Sequence, residues 1–303
     1  MSKAKKWAES YFQRLDSIIE ELKKHPLIDH LSYIRFKGLS DEEITAIEAG
    51  LSDEVYSNMD QGSEVPSFKI DAYMKAFYNI SNGLNIAWDS HIVQSSLDNS
   101  RVITNADQDD FAVANNDLLQ AEGFLSLLPL KNLISYADLD IYGDPRETRL
   151  GREMSNSGRH FTYLDFYNFY YDTCIALDPK GNTQNNFLYS GEDHSACYND
   201  YKVSDFVIYM ENLLANYFSV FLRSNAFYDT DAVAAFRDND YEDIAKKIAS
   251  ENQYASIDDV LKYHVQDEEL LEKFGDLDFL QEKPEAIYEK IEELLDVTLE
   301  DEL

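Results

Sequence analysis

Positive charge is scarce in this sequence: 26 Lys and Arg stand against 58 Asp and Glu, a formal net charge of −32. A surface so negative repels nucleic-acid phosphates and anionic lipid headgroups and attracts basic proteins, so neither nucleic acid nor a membrane is an expected partner. Cysteine is almost absent. The two thiols, Cys174 and Cys197, form no C-x-x-C pair and cannot build a disulfide framework for 303 residues, which points to a reducing compartment. Glycine is sparse, at 11, and no phosphate-cradling glycine run occurs. No window approaches the ~20 apolar residues that a bilayer span requires. The N-terminus, MSKAKKWAESYF, lacks both an uninterrupted apolar stretch and a small-residue cleavage site. The expectation is a soluble, cytoplasmic protein.

Aromatic residues, by contrast, are plentiful. A disordered acidic chain carries few of them, whereas this one has 21 Tyr and 17 Phe, and each ring buries a large apolar area. A packed core is therefore expected despite the charge. That charge is uneven: residues 1–39 are net +3 and residues 229–303 net −17.

Periodicity locates the elements. Trp7, Tyr11, Leu15, Ile18 and Leu22 recur at helical spacing, and His25-Pro26 ends that helix. Ser40-Asp41-Glu42-Glu43 fits a capping box and starts a second helix carrying Ile44, Ile47 and Leu51. A third runs from about Asp71 to Ile80, with Tyr73, Phe77 and Ile80 on one face, and Asn82-Gly83 stops it. Leu84 to Trp88 alternates as a strand does, and Asn132–Tyr142 reads as another. The polar stretch 105–116 reads as a loop. Phe161–Leu177 is rich in aromatic and β-branched residues. The turn signal Asp178-Pro179-Lys180-Gly181 follows it, and Asn186–Tyr189 returns as the second arm of a hairpin. Ser204 or Asp205 caps a helix to about Leu222, apolar around most of its circumference. Beyond Ser224 the texture changes to short charged helices, with Pro284 at a first helical position before Ile287, Ile291, Leu294 and Leu295. The order of three helices, an antiparallel meander and a helix predicts an α+β domain over residues 1–228 and an acidic helical extension over 229–303.

The runs Leu39-Ser40-Asp41-Glu42-Glu43-Ile44, Tyr73-Met74-Lys75-Ala76-Phe77-Tyr78 and Ile80-Ser81-Asn82-Gly83-Leu84 together resemble the SUKH superfamily, fungal cell-wall-assembly regulators and bacterial immunity proteins of toxin systems. The Asp178–Gly181 turn and the Phe- and Leu-rich helix from Ser204 extend the likeness to residues 35–222. Pro66 stands further upstream of the second motif than the family's Leu-Pro, and the segment 90–160 is longer than usual. The resemblance implies a sheet flanked by helices and a non-enzymatic binding protein without cofactor. Its implied role is an immunity protein that sits on a cognate, basic toxin. A regulatory scaffold and a nucleic-acid-mimicking inhibitor are the alternatives. The oligomeric state is left open.

Residues of chemically reactive type each have a plainer explanation. There is no H-E-x-x-H, G-x-S-x-G or H-x-E…C-x-x-C pattern among the six His and their neighbours, so no catalytic, cofactor or metal residues are assigned. Cys174 and His194 would form a Cys–His pair if they met across the hairpin; otherwise they are a buried thiol and a loop imidazole. Glu192-Asp193-His194 reads as metal ligands or as a solvated loop. Asp107, Asp109 and Asp110, with Glu192 and Asp193, are the expected contacts for a basic partner, or else hydrated loop acids. Trp88 is expected in the core rather than as a ligand platform, and Glu300-Asp301-Glu302 as a solvated end.

Overall fold

The computed structural model describes residues 1–26, 28–59, 62–91, 120–135, 159–166, 172–191, 203–219, 246, 248 and 256–264. The chain opens with α1 (Lys3–Lys24), whose Trp7, Tyr11, Phe12, Leu15, Ile19 and Leu22 are buried. Ser2 caps it, accepting the Lys5 N–H, and His25 ends it with extended backbone, as a residue before proline must. β1 (His30–Arg35) follows, then α2 (Asp41–Ser57), where Ser40 and Glu43 form the reciprocal capping box. α3 (Ala72–Ile80) starts at Asp71, whose carboxylate accepts the N–H groups of Tyr73 and Met74 at 2.7 and 3.0 Å. Gly83 then turns the chain at φ +96°, a conformation open chiefly to glycine.

Six further strands complete the sheet: β2 (Leu84–His91), β3 (Gln120–Leu127), β4 (His160–Phe166), β5 (Asp172–Leu177), β6 (Phe187–Gly191) and β7 (Val203–Ser204). The short α4 (Leu130–Ser135) links β3 onward. The seven strands lie in the order β1 to β7, each antiparallel to the next, with no crossover. Between β5 and β6 the expected turn is present. The Gly181 N–H reaches the Asp178 carbonyl at 3.0 Å, the Lys180 N–H reaches the Asp178 carboxylate at 2.8 Å, and Gly181 has φ +73°.

α5 (Phe206–Ala215) and α6 (Ile257–His264) complete the described elements. α1, α3 and α5 cover one face of the sheet. Trp7, Tyr11, Phe12, Phe77 and Phe206 interlock there at ring-centroid distances of 4.8–6.0 Å, mostly tilted or edge-on, as aromatic quadrupoles prefer. Ile86, Trp88, Leu125, Leu127, Ile175, Leu177 and Leu188 supply the sheet's side of this core. Trp88 is 2% exposed and belongs to it, as expected. α6 adds Ile257 and Val260, and its Asp258 meets the His25 ring at 2.7 Å.

The α+β class stands, with four corrections to the reading of the sequence. Within the stretch expected to hold a strand, residues 132–135 are helix, because Leu130 anchors the segment in the core and its N–H is capped by the Asn82 side chain; residues 136–142 lie outside the described residues. Phe161–Leu177 is two paired strands with a register shift between Tyr163 and Asp165. A strand, β1, lies between the first and second helices. The closing helix stops at Ala215, well short of Leu222. There Tyr217 and Phe218 adopt φ of 51° and 60°, unusual for residues with a β-carbon and costing on the order of 1–3 kcal/mol each. Hydrogen bonds offset that cost. The Phe218 N–H returns to the Leu213 carbonyl (2.8 Å), the Tyr217 carbonyl accepts the Trp88 Nε1–H (2.7 Å), and the Phe218 carbonyl accepts the Phe124 N–H (2.9 Å). Trp88 can enter because residue 123 is glycine: a β-carbon there would stand 2.0 Å from the indole Nε1.

Candidate functional site

The acidic contacts expected from sequence, Asp107, Asp109, Asp110, Glu192 and Asp193, lie outside the described residues, as do His194, Cys197 and Glu300–Glu302. Cys174 is described. It sits in β5, 1% exposed, opposite Tyr163 on one side and Tyr189 on the other. A thiol so enclosed is a core residue and a poor nucleophile for any soluble substrate. Among the described residues no three His, Cys, Asp or Glu side chains come together as a metal site, and no helix is long and apolar enough to cross a membrane.

Several of the described carboxylates are buried. Glu211, on α5, is 2% exposed. Its two oxygens accept a bidentate pair of bonds from the Arg14 guanidinium, both at 2.6 Å, and Oε1 also accepts the Trp7 Nε1–H at 2.7 Å. Asp165 is fully buried where the β4 register shifts; it accepts the Tyr209 hydroxyl at 2.5 Å, which lies 2.9 Å from Thr173 Oγ1. The nearby Tyr78 phenol donates to the Leu128 carbonyl, and burial, reinforced by the charge of Asp165, pushes its pKa far above the ordinary tyrosine value. These acids join helices to the sheet or to one another, and none of them faces water.

Glu48 is another buried carboxylate, on the helix that carries most of the exposed acids near it. It faces inward from α2, 2% exposed. Its Oε1 accepts the Ile70 N–H at 2.9 Å and lies 3.0 Å from Lys75 Nζ; its Oε2 lies 3.0 Å from Lys69 Nζ. Lys69 and Lys75 are thereby paired with Glu48 while each remains about a third exposed. Asp41, Glu42, Glu43, Asp53 and Glu54 of α2 are all exposed, Asp41 also accepting Asn79 Nδ2 of α3 at 2.8 Å, with the exposed Thr45, Ala46, Ala49 and Gly50 between the two acidic groups. A β-carbon added at Gly50 would touch nothing, so the packing of the fold does not require glycine there. Just past the acids, Tyr56 (41%), Met59 (44%) and Val65 (59%) are exposed apolar side chains. The first-turn acids also serve the helix itself, through the favourable end of its dipole and the cap. The Glu42 carboxyl is held below the usual range by its own backbone N–H and then by Ser40. Asp53 and Glu54, near the unfavourable end of that dipole, have no such helical role.

This face has a signature in the sequence. From Gly38 to Phe68 the chain contains eight acidic residues and no Lys, Arg or His, the longest such contrast in its first hundred residues. Glu48 is set apart within that run by its place on the Ile44–Ile47–Leu51 stripe. A carboxylate on an apolar stripe calls for buried partners, and Lys69 and Lys75 supply them.

No family model, no curated protein and no solved structure matches this chain.

Proposed function

We propose that this chain is a non-enzymatic protein-binding module, an immunity-type protein of SUKH character that docks on a basic toxin and blocks it. The observation that carries the reading is the outer side of α2: five exposed carboxylates, small residues between them, and Tyr56, Met59 and Val65 at one end. The acids would raise the encounter rate with a cationic surface and fix orientation. The apolar end would supply the desolvated anchor that charge alone does not give, tyrosine being enriched among such anchors. The pairing of Glu48 with Lys69 and Lys75 supports the same reading, because it engages two cations that could otherwise neutralise the exposed acids.

The test is co-expression with the toxin encoded beside this chain, with growth and complex formation as readouts. Wild type should rescue growth and bind in a salt-weakened manner. The charge reversals Asp53→Lys and Glu54→Lys together should slow association roughly ten-fold or more. Tyr56→Ala should raise the Kd about ten-fold, chiefly through faster dissociation. If the toxin is neutralised equally well by both variants, α2 is not the docking face. If no neighbouring toxin is bound at all while several endogenous proteins are captured, the regulatory-scaffold reading takes its place.

A further inference from the structure

Among the described residues β1 pairs only with β2, so one row of its backbone N–H and C=O groups faces outward. Open edges are usually blunted by proline, bulges or clustered charge. β1 has no proline, and its register with β2 runs unbroken from His30 to Arg35. It is six residues, about 20 Å, long. Ile34 on it is 48% exposed, and Phe36 just beyond it 38%. The fixed charges between Pro26 and Gly38 are only Asp29, Arg35 and Lys37, a near balance in a chain of net −32. Arg35 is already engaged within its own chain, 3.5 Å from Asp16 and stacked 4.3 Å over the Phe12 ring. Lys37 and Asp29 are exposed at the two ends of the strand.

We propose that β1 pairs with β1 of a second copy, antiparallel about a two-fold axis, joining the two sheets edge to edge. Charge complementarity selects the second copy. When Tyr33 lies opposite Tyr33, Asp29 of each copy lies opposite Lys37 of the other, giving two cross-strand pairs of opposite sign. In the same register Ile34 lies opposite Ser32 and diagonal to the other Ile34, and Phe36 lies opposite His30, so both exposed apolar side chains gain cover. A slip by one residue loses both ion pairs and sets the core-side residues of one sheet against the solvent-side residues of the other. Elsewhere two copies repel at long range, so salt should strengthen this contact by screening that repulsion. A complex with a basic partner has the opposite salt response, which keeps this proposal separable from the toxin-binding reading.

Sedimentation velocity on the full-length chain, across a wide concentration range in low and high salt, tests it. The expected result is a monomer–dimer equilibrium shifted toward dimer by salt. Lys37→Glu should weaken it about ten-fold, because both pairs become like-charged. The swapped variant Asp29→Lys with Lys37→Glu should restore it, and unchanged thermal melts should show that all variants fold. A monomer under every condition, a dimer indifferent to Lys37→Glu, or no restoration by the swap would overturn the proposal. So would a monomer whose β1 amides become protected only when another protein is added, which would assign the edge to a strand of that protein.

Discussion

Glu211 and Glu48 are both buried to 2% exposure, yet they are secured on different principles. Glu211 has one cationic partner, Arg14, 197 positions away, and the planar bidentate match ties α5 to the first helix of the chain. Glu48 has two lysines and a backbone N–H, all within 27 positions, and ties α2 to the strap that leads into α3. The first is a single long-range clamp and the second a redundant local one. A buried charge is tolerable only while it is paired, so the difference predicts different fragility.

Arg14→Ala should have the largest effect. It strands the Glu211 carboxylate beside Trp7 and should cost about 3–5 kcal/mol in urea unfolding. A loss no larger than that of a surface substitution would mean that the Arg14–Glu211 pair contributes little. On the other side, Lys69→Met or Lys75→Met alone should cost about 1 kcal/mol or less, since the second lysine remains and both are partly exposed. The double variant should cost about 3 kcal/mol, and a double-mutant cycle would read the excess as coupling. Strict additivity would deny the redundancy. Gly50→Ala, on the solvent side of the same helix, should raise stability by roughly 0.5–1 kcal/mol, because nothing opposes the added methyl group. The gentlest test is pH. His160 packs 5.2 Å from the Phe68 ring, next to Lys69, and burial lowers its pKa below 6.5. The folded state therefore resists protonation that the unfolded chain accepts. Stability should be full above the unfolded value and fall as pH drops through 6.5 toward the folded pKa. His160→Asn should flatten that slope. His30, exposed and raised by its bond to Asp89, opposes it weakly.

Legibility in the sequence followed the range of the forces involved. α1, α2 and α3 were readable because periodicity, the Ser40–Glu43 box and the Asp71 cap are local, and the Asp178–Gly181 turn was readable for the same reason. β1 was not, because alternation in His30–Arg35 is weak: only Leu31 and Tyr33 are partly buried, and the strand exists by pairing with β2, over fifty positions away. The end of α5 is not legible because Tyr217 and Phe218 continue the apolar pattern, whereas tertiary hydrogen bonds to Trp88 and Phe124 pull them out of the helix. For the site, acidity was legible but its address was not. A carboxylate becomes part of a surface or a core according to what lies under it, and Lys69 and Lys75 come under Glu48 only once α2 and the 66–71 strap have met.

The strand order has a kinetic consequence. With each strand beside its successor, the sheet can zip hairpin by hairpin with modest loop-closure entropy. The contact between Trp7, Arg14 and Glu211 gains nothing from that zipping: it closes a loop of nearly two hundred residues and needs α5 already seated. Arg14 substitutions should therefore hasten unfolding and leave the refolding rate almost untouched, the mark of a latch that fastens after the rate-limiting barrier.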